Sequence, residues 1–492
     1  MADSTRYVLL LAIAAAARFL VLADFMIADL IAPSLQSSFQ TSPTTLLLAR
    51  NAMPITVTIG IPLAVLLVGR VGLKTIYLAA LACFVLALLI SAHASNLAWF
   101  VVGRVLQGCA TAIVSSQVFA LLWVFAPRNL LNRGIALVAG MGAFGMTAGP
   151  ILASLGGAGH HWRSIFDALA MVALLLIPLA WLSMGRPIQA VTPIQQATPY
   201  LGASLLFSTW ALLLTPWPAG TALASAEFRS LDVITMVGLI LWLRQRRQRQ
   251  DGPWRQPMFL TGFLIRLALF GAIATPGFFT ILYLQNQLSW SMSQAALMGA
   301  AVSAPMLLGI PLSSHLMRRL QLPRLIGFCL PLVAIGLLGW IWALEGQLVD
   351  LMVLCNGVIG IGIGLLIPAT TTCAMQTAGR DNALDASGWL VLAEALGPML
   401  GLASQSRILL NVTRSLWHQA MANDQLPAAT IAIDLNHIQQ ALPLASTQDQ
   451  QLAMRIFLHG LQSVYLCSSL IIAATAMACI RLLQSRQHSQ GC

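Results

Sequence analysis

The sequence predicts an all-α membrane protein with many transmembrane helices. Of its 492 residues, 58% are hydrophobic and only 8% are charged, and the mean hydropathy is +0.82. A soluble chain carries about 25% charged residues, so this composition excludes a water-soluble globular protein. Each helical span needs about 20 apolar residues, so fourteen spans would use roughly 280 residues, close to the observed hydrophobic share.

Windowed hydropathy separates the chain into fourteen apolar segments. We expect the first to be an uncleaved span, because it continues past Arg18 without a signal-peptide cleavage site. The segments are 8–31, 46–68, 75–92, 97–120, 134–156, 164–184, 200–217, 229–243, 267–287, 294–316, 325–344, 350–370, 384–409 and 460–483.

The distribution of positive charge predicts the orientation of these spans. One set of alternate loops is rich in basic residues, whereas the short loops of the other set hold only Arg50, Arg163 and Arg229. Basic loops stay in the cytoplasm, so we expect both termini to be cytoplasmic, in a bacterial inner membrane. The basic set comprises Arg6, Arg70 and Lys74, Arg128 and Arg133, Arg186, the run Arg244 to Arg266, Arg318, Arg319 and Arg324, Arg380, Arg481 and Arg486.

Within the basic run, five arginines lie just inside the membrane, where anionic lipid head groups are their expected neighbours. They are Arg244, Arg246, Arg247, Arg249 and Arg255. Only one of the 26 basic residues is a lysine, and the arginines lie between apolar runs. We therefore attribute the net charge of +11 to basic residues that set the orientation of the spans in the membrane, and we expect no nucleic-acid partner.

Residues 411–459 form a predicted outside loop that is too long to be a turn. Ser446 and Asp449 could cap a short helix on which Leu452 and Ile456 share a face. Two interpretations stay open, a solvated surface helix and a contact for a periplasmic partner.

Neither a nucleotide-binding motif nor a nucleophile elbow nor a complete set of metal ligands stands in the sequence. The sequence therefore predicts no metal, no cofactor and no enzymatic activity, and an ion gradient as the source of energy.

Charged side chains deep inside spans are the strongest functional signal. A charge at the centre of a transmembrane helix costs about 2.5–3.5 kcal/mol, so each one requires a reason. A carboxylate that faces a protein-lined cavity can exchange protons, which makes Asp24 a candidate for proton coupling. The alternative is that a buried arginine neutralises Asp24 and that the pair has a structural role. The two interpretations are compatible. The deep charges are Arg18, Asp24, Asp29, Arg104 and Glu394.

The stretch from Asp24 to Pro33 resembles the first-span motif of fourteen-span drug:proton antiporters of the major facilitator superfamily, the EmrB/QacA type. Asp24 and Pro33 match the motif, whereas Met26 and Asp29 stand where the family has Thr and Asn. Further resemblances follow in order along nearly the whole chain. Asp29 is kept as a candidate beside Asp24 because it lies near the outer end of the same span.

Two of these further motifs imply roles for particular residues. Arg104-Val105-Leu106-Gln107-Gly108 resembles the family's R-x-x-Q-G, whose arginine is implicated in proton transfer. Gly149-Pro150 resembles its antiporter motif, with Ala153 and Ser154 in place of the final glycines. Small residues at Gly145, Gly149 and Ala153 also permit close helix contact, which indicates a sealing and bending role for this span.

The loop between spans two and three departs from the family's gate pattern. It keeps Arg70, Gly72 and Lys74 but has Gly69 in place of the acidic residue, so the sequence predicts no salt bridge at this gate.

Arg18 and Glu394 are also departures from the family pattern. Each lies about ten residues, or roughly 15 Å, from the cytoplasmic end of its span. We hypothesise that the two form an intramembrane ion pair.

The resemblance implies a major facilitator fold of 14 helices, with six-helix bundles at 1–185 and 257–492 and two extra helices within 186–256. It implies proton-coupled efflux of small amphipathic or toxic compounds, with a periplasmic adaptor and an outer-membrane channel as implied partners. Two alternatives stay open, a dedicated exporter of one endogenous metabolite such as a siderophore, and a non-transporting receptor or scaffold. The costly Asp24 and Arg104 argue against the scaffold.

Overall fold

The computed structural model describes residues 3–41, 43–127, 130–155, 162–184, 256–288, 290–378, 383–422 and 447–489, and all regular structure within them is α-helical. Thirteen helices are described: α1 (Asp3–Leu30), α2 (Ala32–Phe39), α3 (Pro43–Val71), α4 (Leu73–Ala92), α5 (Leu97–Phe125), α6 (Leu131–Leu155), α7 (Trp162–Ser183), α8 (Pro257–Gln287), α9 (Met292–Arg319), α10 (Leu322–Glu345), α11 (Val349–Ala378), α12 (Ala383–Ala422) and α13 (Thr447–Ser489).

The chain is a multi-pass membrane protein. Among the described residues, 10 helices are long and apolar enough to cross a membrane, and α3 and α6 contribute the shorter apolar stretches Asn51–Ile61 and Arg133–Met146. The spans predicted at 200–217 and 229–243, like the basic run at 244–255, lie outside the described residues. The total of fourteen spans therefore stays a prediction.

The helices form two groups that repeat one packing pattern. In the amino-terminal group (α1–α7), α1 packs on α6, α3 on α5, and α4 on both α5 and α7. In the carboxy-terminal group (α8–α13), α8 packs on α12, α9 on α11, and α10 on both α11 and α13. Because each pairing in one group has its counterpart in the other, helix α1 corresponds to α8 and α6 corresponds to α12.

Glycines let the corresponding helix pairs approach closely. Gly145 and Gly149 of α6 lie against the backbone carbonyls of Phe19 and Ala23 in α1, and a Cβ built on Gly149 would lie 2.6 Å from the Ala23 oxygen. Small residues at a helix interface bring backbones together in this way. Gly145 and Gly149, for which the sequence predicts a sealing role, thus pack on α1, and Ala23 directly precedes Asp24.

The same contact recurs in the carboxy-terminal group. Gly397 of α12 lies against Leu267 of α8, and Gly401 lies against Gly271. Both glycine pairs are four residues apart, and so are the residues that they contact. The two groups can therefore be aligned residue by residue along these helices.

The segment 411–459, predicted as a loop, is helical at both of its ends. Helix α12 continues to Ala422 and α13 begins at Thr447, while residues 423–446 lie outside the description. At 40 and 43 residues, both helices are much longer than the roughly 20 residues that a membrane requires. Their ends are held together by an apolar cluster of Leu416, Trp417, Ala420, Leu452 and Ile456, so Leu452 and Ile456 do share a face.

The glycine contact between α6 and α1 predicts a loss of stability on the smallest substitution. We expect Gly149→Ala to lower the melting temperature in detergent, because overpacking typically costs about 1–3 kcal/mol. Gly327→Ala is the matched control, since its Cβ would meet only the Ile480 side chain at 3.6 Å. Equal melting temperatures for the two variants would contradict the close contact.

Candidate functional site

A cavity of about 230 Å³ lies between the two helix groups. Its walls come from both groups, and they are mostly apolar, with Phe25 and Met26 from α1 and Phe270 and Phe278 from α8. Arg104 of α5 contributes a charged side chain to this apolar wall. A pocket that is mostly apolar with few polar groups is the usual form of a small-molecule site.

Arg104 forms a buried ion pair with Asp24, so the two candidates for proton coupling are in contact. The Arg104 Nη1 atom donates to Asp24 Oδ1 over 3.1 Å, and the side chains are 1% and 0% exposed. Asp24 directly precedes Phe25 and Met26 of the cavity wall, and Arg104 itself reaches the cavity. The pair therefore connects the cavity to the core of the amino-terminal group.

The R-x-x-Q-G stretch builds the surroundings of this pair. Arg104 Nη1 also donates to Gln107 Oε1 at 2.8 Å, and Gln107 Nε2 donates to Ser91 Oγ of α4 at 3.3 Å. A Cβ on Gly108 would lie 2.6 Å from the Met53 carbonyl oxygen of α3. Arg104 thus pairs with the carboxylate, and Gln107 orients Arg104. Gly108 permits close packing against α3.

One oxygen of Asp24 is left without a partner among the described residues. Asp24 Oδ2 is buried and accepts no hydrogen bond, while Oδ1 is held by Arg104. A buried carboxylate oxygen with spare capacity can take up a proton without breaking an existing hydrogen bond. The geometry therefore suits reversible protonation at Oδ2.

The remaining predicted site residues stand apart from the cavity or are only partly described. Lys74 lies in the amino-terminal group, where its Nζ donates to the Trp181 carbonyl at 2.9 Å and lies 5.3 Å from the Trp181 ring. Gly72 has a φ of 93°, a conformation that favours glycine. The side chains of Asp29, Arg70 and Pro150 lie outside the description.

Arg18 and Glu394 form a second buried ion pair, and Glu394 binds Arg266 as well. Arg18 of α1 contacts one carboxylate oxygen and Arg266 of α8 contacts the other. Arg266 also donates to the Thr371 hydroxyl of α11. One carboxylate thus joins guanidinium groups from the two helix groups.

Sequence reasoning missed Arg266 because the residue was assigned to a cytoplasmic basic run. Helix α8 begins at Pro257, and Arg266 is 0% exposed inside it. The available signal was the apolar stretch 258–265, which places Arg266 nine residues into the helix. The assignment of Arg266 to a loop is therefore wrong.

Two contacts between the groups lie toward the side of the molecule at which α1 begins, called here the α1-start side. Ser387 of α12 donates to the Ser116 carbonyl of α5 at 2.6 Å, and Gly140 of α6 lies against Ile310 of α9. Ser387 precedes Glu394 by two helical turns, so this contact lies beyond the Arg18–Glu394–Arg266 cluster as seen from the cavity. The structure is closed at this level.

Comparison with known proteins agrees with this architecture. The family model described as Major Facilitator Superfamily matches residues 14–402. The Methylenomycin A resistance protein of Streptomyces coelicolor is 25% identical, with 78% of this chain and 82% of that protein covered. The Multidrug resistance protein Stp of Mycobacterium tuberculosis is 23% identical, with 96% and 91% covered.

Solved structures share the fold at low sequence identity. A bacterial homologue of the human lysosomal transporter Spinster, inward-facing and unoccupied, superposes with a TM-score of 0.60 at 14% identity and 97% coverage of both chains. The proton:xylose symporter XylE superposes with a TM-score of 0.58 at 14% identity and 95% coverage of both.

The Asp24–Arg104 pair predicts non-additive effects on stability. We expect Asp24→Asn and Arg104→Gln each to lower the melting temperature strongly, since removing one partner of a buried pair costs about 3–5 kcal/mol. The double variant should lose less than the sum of the two. Asp167→Asn is the control, because Asp167 and His93 pair at 3.7 Å while both remain exposed. Strict additivity would show that the two groups do not interact.

Proposed function

Because this chain belongs to the Major Facilitator Superfamily, whose members are transporters rather than enzymes, we propose that it exports small amphipathic compounds in exchange for protons. The observation that carries this proposal is the buried Asp24–Arg104 pair at the wall of an apolar cavity between two helix groups. The cavity supplies a place for an apolar molecule, and the pair supplies a proton-accepting group beside it.

Proton transfer at Asp24 changes the charge at the cavity wall. When Asp24 is ionised, its charge balances that of Arg104. When Oδ2 takes up a proton, Asp24 becomes neutral and the guanidinium of Arg104 loses its counter-charge. The two protonation states therefore favour different arrangements of Arg104 and different occupants of the cavity, which is the requirement for coupling.

Movement of the two groups would expose the cavity to each side in turn. Alternating access in repeat-built transporters is largely the rocking of one bundle against the other around a fixed site. The close contact of Gly149 with Ala23 transmits a change at Asp24 directly to α6, and α6 packs on α9 and α11 of the other group. Protonated Asp24 would release substrate outside, and its deprotonation inside would reset the transporter.

The relatives support export of toxic compounds. One carries a name for resistance to a single compound, methylenomycin A, and another for multidrug resistance. The proposed orientation places the α1-start side in the cytoplasm of a bacterial inner membrane, as the basic loops predict. The cavity is then closed to the cytoplasm in this structure. A periplasmic adaptor and an outer-membrane channel remain proposed partners at the outer ends of α12 and α13.

The alternative is a dedicated exporter of one endogenous metabolite, such as a siderophore. The relative named for a single compound favours it, and the same mechanism would apply. A receptor or scaffold is disfavoured, because it has no need of a buried Asp24 and Arg104.

Proton-driven efflux of a dye panel from everted vesicles tests the proposal. The panel contains ethidium together with neutral and anionic dyes. We expect movement that requires a proton gradient, at least tenfold slower in Asp24→Asn because the amide cannot exchange a proton. Asp167→Asn is the matched control, since Asp167 is an exposed carboxylate on α7.

Two outcomes would argue against the proposal. Wild-type rates for Asp24→Asn would remove Asp24 from the coupling mechanism. A wild type that moves none of the panel would replace multidrug export by the dedicated exporter.

A further inference from the structure

The Arg18–Glu394–Arg266 cluster is not used by the coupling mechanism, although it buries three ionisable side chains. Arg18 is 2% exposed, Arg266 is 0% exposed and Glu394 is 9% exposed. Charges at this depth are costly unless paired. Two guanidinium groups share one carboxylate, so the cluster carries one more positive charge than negative charge.

The cluster lies at the α1-start end of the cavity. On α8, Arg266 precedes the cavity-lining residues Leu269 and Phe270 by about one turn, and on α12 Glu394 precedes the lining residue Pro398 by one turn. A Cβ on Gly142 would lie 2.9 Å from Arg18 Cγ and Nε, and Gly142 is followed by a lining residue of α6. The cluster therefore lies about one helical turn beyond the lining residues on that side, without itself lining the cavity.

The repeat of the two groups relates Arg18 to Arg266. Arg18 precedes Phe19, which contacts Gly145, and Arg266 precedes Leu267, which contacts Gly397. The two arginines therefore occupy corresponding positions on α1 and α8.

The same alignment relates Glu394 to a residue without charge. Glu394 lies three residues before Gly397, and its counterpart three residues before Gly145 is Gly142. Each group thus supplies one arginine, but only the carboxy-terminal group supplies a carboxylate.

Glu394 belongs structurally with Arg266. Helices α8 and α12 are held together by the glycine contacts of one group, and Arg266 is fixed further by Thr371 of α11 in the same group. Arg18 instead depends on Glu394 across the boundary between groups, with the Phe119 ring of its own group 5.9 Å away. The Nε atoms of both Arg18 and Arg266 are without a hydrogen-bond partner among the described residues, so the bond from Arg266 to Thr371 is what distinguishes the two arginines.

Opening of the α1-start side therefore separates Arg18 from its carboxylate. The carboxy-terminal group stays balanced as Arg266 with Glu394, whereas Arg18 faces the opened cleft with an unpaired charge. An anion from the cleft would restore the balance.

From this geometry we propose that Arg18 binds the anionic end of an amphipathic substrate, and that Glu394 is its built-in competitor. This inference rests on the proposed export function and names its substrate class, organic anions with an apolar body. The anion binds Arg18 when the α1-start side is open, and the apolar body lies along the cavity. Closure returns Glu394 to Arg18 and expels the anion toward the opposite side. The proton remains at Asp24.

Three probes with one pyrene body and different head groups test this assignment. The head groups are a carboxylate, a primary amide and a trimethylammonium. In everted vesicles we expect the KM of the carboxylate to be about tenfold lower than that of the amide, as a charge-assisted hydrogen bond predicts. Arg18→Gln should raise the KM of the carboxylate about tenfold and leave that of the amide unchanged. Arg18→Lys should keep part of the preference, because it retains the charge.

The variant Glu394→Gln tests whether Glu394 competes with the substrate anion for Arg18 or has only a structural role. Without the competing carboxylate, purified protein in detergent should bind the carboxylate probe more tightly. Transport of that probe should slow, since nothing displaces it on closure. Arg133→Gln is the matched control, because Arg133 is an exposed arginine near the start of α6, and we expect it to change neither quantity.

The outcomes distinguish this inference from the proposed function. Equal effects of Arg18→Gln on all three probes would overturn the anion site and leave Arg18 a structural residue. Proton-driven movement that favours the trimethylammonium probe would also overturn it while the proposed function stands. The dye panel decides the proposed function separately. If no pyrene probe moves, the binding constants of the carboxylate and amide for wild type and Arg18→Gln decide the anion site by themselves.

Discussion

The structure depends on the requirement that charges buried among membrane helices find partners. Water cannot solvate them there, so each ionised side chain must be balanced by another or held in a protein-lined cavity. Asp24 with Arg104 satisfies this requirement within one helix group. Glu394 with Arg18 and Arg266 satisfies it across two. The first pair lies within the amino-terminal group, whereas the second cluster bridges the boundary between the two groups.

This difference assigns distinct parts to the two clusters. Asp24 has a free oxygen for a proton and lies beside the residues that line the cavity. Glu394 has both of its oxygens held by guanidinium groups, one from each helix group. In the proposed function the proton is therefore placed at Asp24, and in the further inference Glu394 is exchanged for a substrate anion. In these proposals, coupling and closure use separate carboxylates.

Glycine contacts connect the two clusters mechanically. Gly142, Gly145 and Gly149 follow one face of α6, and along α1 they contact Arg18, Phe19 and Ala23 in turn. Because the backbones touch, α1 and α6 cannot shift independently without losing packing. Both clusters therefore lie against the same α1–α6 interface, and α6 also packs on the opposite helix group.

Hydropathy and charge by themselves determined that the chain crosses a membrane many times, because composition limits which solvent can surround it. They also identified Asp24, Arg104, Arg18 and Glu394, since any charge inside an apolar span stands out. Spacing along single helices could not show that Glu394 holds two arginines, because contacts between distant segments depend on how helices pack. Arg266 was missed for a related reason, as its helix begins before its longest apolar run. Only the tertiary structure, by repeating one packing pattern in both groups, decided that Arg18 and Arg266 correspond and that one carboxylate serves both.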